Sequence, residues 1–552
     1  MIFSRLNKPD VRRIPSPEAS GISKSGIRLT LSPKAPGSRE LALAFIAFLA
    51  CSLPVQLFCS LQSPFYRYSE FPDASVYMAV GRAIQHGLMP YRDIFDHKGV
   101  LLHLINYLAA VIFPKSMTGI YLILSLSLTL FLFYGYRIAR MVLSAVPAFI
   151  AALILLLFSV GNGMLNHHGG GSTEEYFLPC LMGCLFYLIR LCRYAENKGE
   201  ATVRRVMLDS AAVGFFCGVM MWIKYTAVPP VGAAFLLLYI ILFAQKRGRD
   251  ALLSFAGVVS GILLISLPCL LFLWNNHLFK DMFSTYVVFN LKYAGGLGIE
   301  RTELMAIHWD RLVFAGLLPL GASVVGLVFL YRRTKMISGI GKWCILVFIM
   351  ASFFVLLFTG RYYTYYFLIV APFLIFASSA GLVFAEEFFG PKLRERLSNV
   401  FRKFLGGLVI LLIIGVAIAF STDKWPHGSI FSPKTEFELC AEAVNESWAQ
   451  TGADVFPRLV NFMADERGWI QLCDTYPQNK YFFMPGITGA EATRITWEQI
   501  GYIRNGEVDF VFTYGDEGTI EWLKNINPDF RPIFSSETEY FYVFARMDER
   551  ET

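Results

Sequence analysis

Charge is what this chain has least of. Only 16% of its 552 residues are Asp, Glu, Lys or Arg, against 55% hydrophobic. A membrane span needs about 20 apolar residues, and a soluble domain rarely offers one such run. This chain offers many, so a soluble globular protein is excluded. The net charge of +7 comes from Lys and Arg spread over short loops, not from a basic patch, which argues against nucleic-acid binding. Histidine is scarce, at 8 residues. Eight of the ten cysteines lie in or beside apolar runs and behave there as small apolar residues. There is no internal repeat and no low-complexity array.

What is present is a series of apolar segments. Eleven spans are expected, near 41–61, 117–136, 144–161, 176–190, 207–223, 226–244, 251–274, 311–330, 343–359, 365–386 and 404–421. The apolar run 100–113 is shorter, and counting it as a span would invert everything after it. The positive-inside rule decides. With 100–113 interfacial or re-entrant, the tail and the loops 137–143, 190–206, 245–250, 331–342 and 387–403 are cytoplasmic and hold 27 Lys and Arg. The loop 162–175, on the other side, holds none. Residues 1–40 read as a disordered basic cytoplasmic tail rather than a cleavable signal. Residues 41–421 form the transmembrane domain, with an outer loop at 62–99. Residues 422–552 turn polar and read as a small extracytoplasmic α/β domain. Strands are expected at Val508–Tyr514 and Tyr540–Arg546, with a helix at Glu517–Asn525 between them.

The ionisable residues cluster where the chain re-enters lipid, and such residues are functional candidates. Asp73, Asp93, Asp96, His97 and Lys98 lie in one stretch between two apolar segments. Val76, Val80, Ala83 and Ile84 repeat at helical spacing, so 73–86 is expected as an amphipathic helix at the interface. Gly87, Pro90 and Tyr91 follow as a turn. A second cluster is His167-His168-Gly-Gly-Gly-Ser-Thr-Glu174-Glu175, at the outer end of the third span. Adjacent His residues lack a usual ligand spacing, so no metal site is expected. Lys224 lies between two spans with almost no loop, where a lysine needs a partner.

The run Asp73, Tyr77, Gly87, Pro90, Tyr91, Asp93, Asp96, His97, Lys98, Gly99 resembles the first outer loop of GT-C class membrane glycosyltransferases. The closest likeness is to bacterial relatives of the dolichyl-phosphate-mannose protein mannosyltransferases and of the lipid A aminoarabinose transferase, the glycosyltransferase family 39 type. Val100 stands where that family usually has Pro. Gly360-Arg361-Tyr-Tyr-Thr-Tyr365-Tyr-Phe367 is similar to the family's Gly-Arg, aromatic, His-Tyr-Phe, with Tyr365 in place of the His. Lys480-Tyr-Phe-Phe483 is similar to an aromatic motif in the family's outer domain. The resemblance spans the membrane part through short dispersed motifs.

It implies an inverting glycosyltransferase that moves a sugar from a polyprenyl-phosphate donor, such as undecaprenyl phosphate, to an extracytoplasmic lipid, glycan or protein. Such chemistry needs a base for the acceptor's proton and cations for the leaving phosphate. Asp73 is the implied base; a helix N-cap is the plainer account. Asp93 and Asp96 are candidates to support the acceptor or to orient Lys98, and Glu174 or Glu175 to position the acceptor or a cation. Turn chemistry is the alternative for the first two, and a helix start for the last two. Lys98, Lys224 and Arg361 are candidates for donor phosphate binding. For Lys98 the alternative is snorkelling to the interface, and for Lys224 a structural pair with Glu174 or Glu175. No cofactor is expected, although a divalent cation would be compatible. The expected location is the inner (plasma) membrane, with the N-terminus cytoplasmic and the C-terminal domain outside. A transporter or flippase, a glycan polymerase and a receptor or scaffold are the rivals. Inverted repeats and broken helices at the bilayer midplane, which a transporter predicts, are not seen in the sequence. Cys440 and Cys473 alone lie in the outer domain, where a disulfide between them is expected to be stable.

Overall fold

The computed structural model describes residues 35–160, 170–196, 202–295, 301–358, 362–396, 398–419, 428–536 and 538–547. Each expected span is helical over most of its described residues, with at most one or two at an end left outside a helix. In order these are α1 (Ser38–Cys59), then, after α2 (Pro72–Gln85) and α3 (Val100–Ile112), α4 (Thr118–Ala139), α5 (Ala145–Val160), α6 (Thr173–Glu196), α7 (Val203–Lys224), α8 (Val228–Ala244) and α9 (Gly248–Asn275). The helices Leu318–Arg333, Gly339–Phe358, Leu374–Arg396 and Asn399–Ala419 complete the bundle. Among the described residues, eight helical runs are long and apolar enough to cross a bilayer. One of these, Val203–Ala244, is broken by a tight turn at Tyr225–Ala227 into α7 and α8. At 13 residues α3 rises about 20 Å, short of the roughly 30 Å hydrocarbon thickness.

Small residues set the tightest packing. A Cβ on Gly214 of α7 would lie 1.9 Å from the Val258 carbonyl of α9, and one on Gly261 would lie 2.0 Å from the Ala211 carbonyl. Gly214-x-x-x-Gly218 and Gly257-x-x-x-Gly261 thus bring two apolar helices to backbone contact, the usual means of packing where lipid removes the hydrophobic drive.

The C-terminal part carries a four-stranded mixed sheet of β1 (Leu459–Asn461), β2 (Phe510–Tyr514), β3 (Phe530–Ser536) and β4 (Phe541–Arg546), in the order β1-β2-β4-β3. β1 pairs parallel with β2, and the other pairs are antiparallel. Trp469, Phe437, Phe512 and Phe541 pack on one face of it. Cys440 and Cys473 are both buried free thiols, so the expected disulfide is not formed.

The helix expected at 73–86 is present, but its setting differs. Ala74 to Ile84 are all buried, so α2 does not rest one face on a membrane surface. The C-terminal domain covers its polar side. Arg82, 7% exposed, donates to Asp474 Oδ1 at 2.9 Å, and Gln471 donates to the Arg67 carbonyl at 3.1 Å. Arg67 itself pairs with Glu438 at 3.0 Å, and Phe95 N–H donates to the Lys480 carbonyl at 2.9 Å. On the other side Gly81 meets α3 so closely that a Cβ would lie 2.6 Å from the Asn106 backbone.

Candidate functional site

The site is built where the loop 62–99, the bundle and the C-terminal domain converge. Phe71 is the N-cap of α2 and Pro72 its first residue, so Asp73 sits in the first turn and is not the cap. Pro at this position costs no hydrogen bond, and the positive helix end favours an acid there. Asp73 and Tyr77, one helical turn apart, both border a cavity of about 290 Å³. Asp96, His97, Lys98, Tyr363, Tyr365, Tyr366 and Asp465 border it too. The Tyr365 hydroxyl donates to Asp73 Oδ2 at 3.3 Å. The residue that replaces the family's His is therefore a partner of the implied base.

Loop geometry delivers Lys98. Tyr91 takes φ +71° and is buried, with its hydroxyl donating to the Lys98 carbonyl at 2.8 Å. Gly99 then crosses the end of α7: its N–H donates to the Ile223 carbonyl at 3.0 Å, and a Cβ would lie 2.0 Å from the Trp222 oxygen. Only glycine permits that approach, which sets the segments carrying Lys98 and Lys224 side by side. Lys98 Nζ lies 3.9 Å from Asp96 Oδ1, 3.1 Å from His97 Nε2 and 5.4 Å from the Tyr77 ring centre. Asp96 is 1% exposed and also faces the buried His103 at 3.7 Å. Asn290, from the helical segment after α9, donates to the His97 carbonyl at 2.7 Å and braces this loop.

The remaining acids divide. Glu174 Oε1 accepts from Lys224 Nζ at 2.6 Å, and the same ammonium stands 4.0 Å above the Tyr366 ring. Glu175 turns back to the helix start, accepting from Gly171 N at 3.2 Å and Ser172 Oγ at 3.0 Å. Asp93 closes the turn, accepting from Met89 N at 2.8 Å and pairing with Arg92 at 3.0 Å. The Arg92 guanidinium, helped by the Met89 N–H, holds the Asp93 carboxyl below its ordinary range against the effect of burial. Glu174, Lys224, Glu175 and Asp93 do not border the cavity, although the Tyr366 ring beneath Lys224 does. Arg361, His167 and His168 lie outside the described residues. Among the described residues no group of three or more His, Cys, Asp or Glu could hold a metal.

The sequence shows Tyr77 only as part of the loop motif, with no role of its own, and does not mark Tyr366 or Asp465 as site residues. Tyr77 is fully buried, and its hydroxyl has no hydrogen-bond partner among the described residues. Burial first, then the charges of Asp73, Asp96 and Glu174, push its phenol well above the ordinary range. The spacing of Tyr77 from Asp73 was the available signal.

Such a bundle, with a cavity closed over by the C-terminal α/β unit, is a GT-C-like membrane fold. Three solved structures share it. ArnT from Cupriavidus metallidurans bound to undecaprenyl phosphate aligns with a TM-score of 0.63 at 13% identity, over 93% of this chain and 99% of that one. Its apo state gives 0.60 at 14% identity, over 91% and 97%. The archaeal oligosaccharyltransferase AglB from Archaeoglobus fulgidus, in complex with an inhibitory peptide and a dolichol-phosphate, gives 0.50 at 12% identity, over 92% and 74%. No curated protein matches the sequence. By sequence the chain belongs to the competence-induced Ccs4 N-terminal domain family, whose model matches residues 41–427.

Proposed function

We propose that the protein is an inverting glycosyltransferase that takes a sugar from a polyprenyl-phosphate donor, of the undecaprenyl-phosphate type, and gives it to an acceptor outside the cytoplasm. The observation that carries this reading is the meeting of Asp73, Lys98, Tyr363, Tyr365 and Tyr366 around one cavity, although they come from segments up to about 290 residues apart. A carboxylate and a fixed cation in one partly enclosed space are what the reaction needs. Asp73 takes the proton from the acceptor. The acceptor atom bonds to the anomeric carbon while the bond from that carbon to the phosphate oxygen breaks, and the electron pair leaves with the phosphate. A single displacement inverts the configuration. Lys98 stabilises the departing phosphate, with Lys224 and Arg361 as further contacts. Asp96 holds Lys98 in place, and Asp93 and Glu175 act through the local fold. Undecaprenyl phosphate in the ArnT structure and dolichol-phosphate in the AglB structure support the donor class. The cavity lies on the outer side of the inner membrane in this reading, with the N-terminus cytoplasmic.

The test is incubation of the purified chain with labelled undecaprenyl-phosphate sugars and an envelope extract. Release of undecaprenyl phosphate with label moved to an acceptor is expected. No release with any donor would overturn the reading. Tyr365→Phe bears on the base directly. A hydrogen bond to a charged group contributes about 1.5–3 kcal/mol, so losing it should slow transfer roughly ten- to a hundredfold. Affinity for undecaprenyl phosphate should be unchanged, and a parallel loss of that affinity would place Tyr365 on the donor instead.

A further inference from the structure

One side of the cavity does not come from the membrane part. Asp465, Phe483, Pro485 and Gly486 belong to the outer domain and border the same space as Asp73. Their position is fixed. Glu466, 1% exposed, accepts from Asn461 Nδ2 at 2.6 Å and from Ile470 N at 3.2 Å. Met484 N donates to the Ala464 carbonyl at 2.9 Å, which ties the two bordering stretches together. Gly468, with φ +89°, seats the loop on the first outer loop: a Cβ there would lie 2.8 Å from the Tyr68 ring and 2.9 Å from the Ser69 oxygen.

Within this rigid setting the Asp465 side chain stays 45% exposed, with Arg467 as its ion-pair partner at 3.9 Å. Arg467 Nε is buried without a hydrogen-bond partner among the described residues. Burial raises the Asp465 carboxyl, Arg467 opposes this and the charge of Asp73 adds to it. Asp73 and Asp465 border one cavity, and two carboxylates there call for proton donors between them. Arg467 disfavours an ammonium beside Asp465. With Arg467 as its ion-pair neighbour, the Asp465 carboxylate in the cavity wall matches a neutral hydroxyl that donates to it.

We infer that Asp465 is an acceptor-positioning residue and that the acceptor is a saccharide. Asp465 accepts a hydrogen bond from a hydroxyl next to the one that Asp73 deprotonates, so the outer domain supplies half of the acceptor subsite. Asp465 itself exchanges no proton in the transfer. This rests on the glycosyltransferase reading.

The experiment uses the full chain in liposomes with a labelled undecaprenyl-phosphate hexose and a dilution series of envelope glycan extract. Transfer rate and undecaprenyl phosphate affinity are read for wild type, Asp465→Ala, Asp465→Glu and Asp73→Asn. Asp465→Ala is expected to raise the half-saturating extract concentration at least tenfold, with the maximal rate within threefold and the lipid affinity within twofold. Asp465→Glu should recover part of the loss. An unchanged half-saturation, or a matching loss of lipid affinity, overturns the inference while an inactive Asp73→Asn leaves the reading intact. If glycan-free envelope protein is glycosylated equally by wild type and Asp465→Ala, the inference also fails. A wild-type chain that transfers nothing overturns both.

Discussion

Asparagine in place of Asp73 should cut transfer about a hundredfold to ten-thousandfold, the usual contribution of a general base. The amide keeps the size of the carboxyl and can still accept from Tyr365, but it cannot take a proton. Asp73 is in the first turn of α2 and is partly exposed toward the cavity, so little of the fold depends on its charge. Thermal stability in detergent should therefore stay close to wild type, and undecaprenyl phosphate should bind as before. A variant that keeps transfer within threefold would remove Asp73 from the chemistry. One that loses lipid affinity instead would make it part of the donor pocket.

Legibility followed sequence locality. Asp73 and Lys98 were readable because they belong to one loop, and the turn that folds it announces itself in Gly87, Pro90 and Tyr91. Helix positions were readable because each apolar run is long. The outer domain was readable only in part. β2, β4 and the helix Glu517–Ile526 fell close to their expected places. β1, with three residues, has too few positions to show alternation, and β3 contains Pro532 and a register shift before Phe534. The burial of α2 could not be read, because its polar face is covered by Ile470, Gln471 and Asp474, almost 400 residues further along. Asp465 was hidden for the same reason. Its place depends on the fit of Gly468 against Tyr68 and on the buried Glu466, neither of which leaves a periodic signal.

Lys224 had two readings in the sequence, a phosphate contact or a structural partner of Glu174, and the 2.6 Å ion pair establishes the partnership without deciding the first. The two roles separate by experiment. Both side chains are largely buried, at 18% and 5% exposed. Breaking such a pair from one side leaves a buried charge alone and costs about 3–5 kcal/mol. Lys224→Met should therefore lower the thermal midpoint strongly, because Glu174 is then unpaired at the start of α6. Glu174→Gln should cost less, since the ammonium keeps the Tyr366 ring beneath it. The double variant Glu174→Gln with Lys224→Met should regain most of the lost stability, because no buried charge is left, and simple additivity would show that the pair is not coupled. Undecaprenyl phosphate affinity is the second readout. If Lys224 also meets the donor phosphate, the double variant stays weak in lipid binding after its stability has returned. If affinity returns together with stability, the lysine serves the fold alone, and Lys98 carries the leaving phosphate without it.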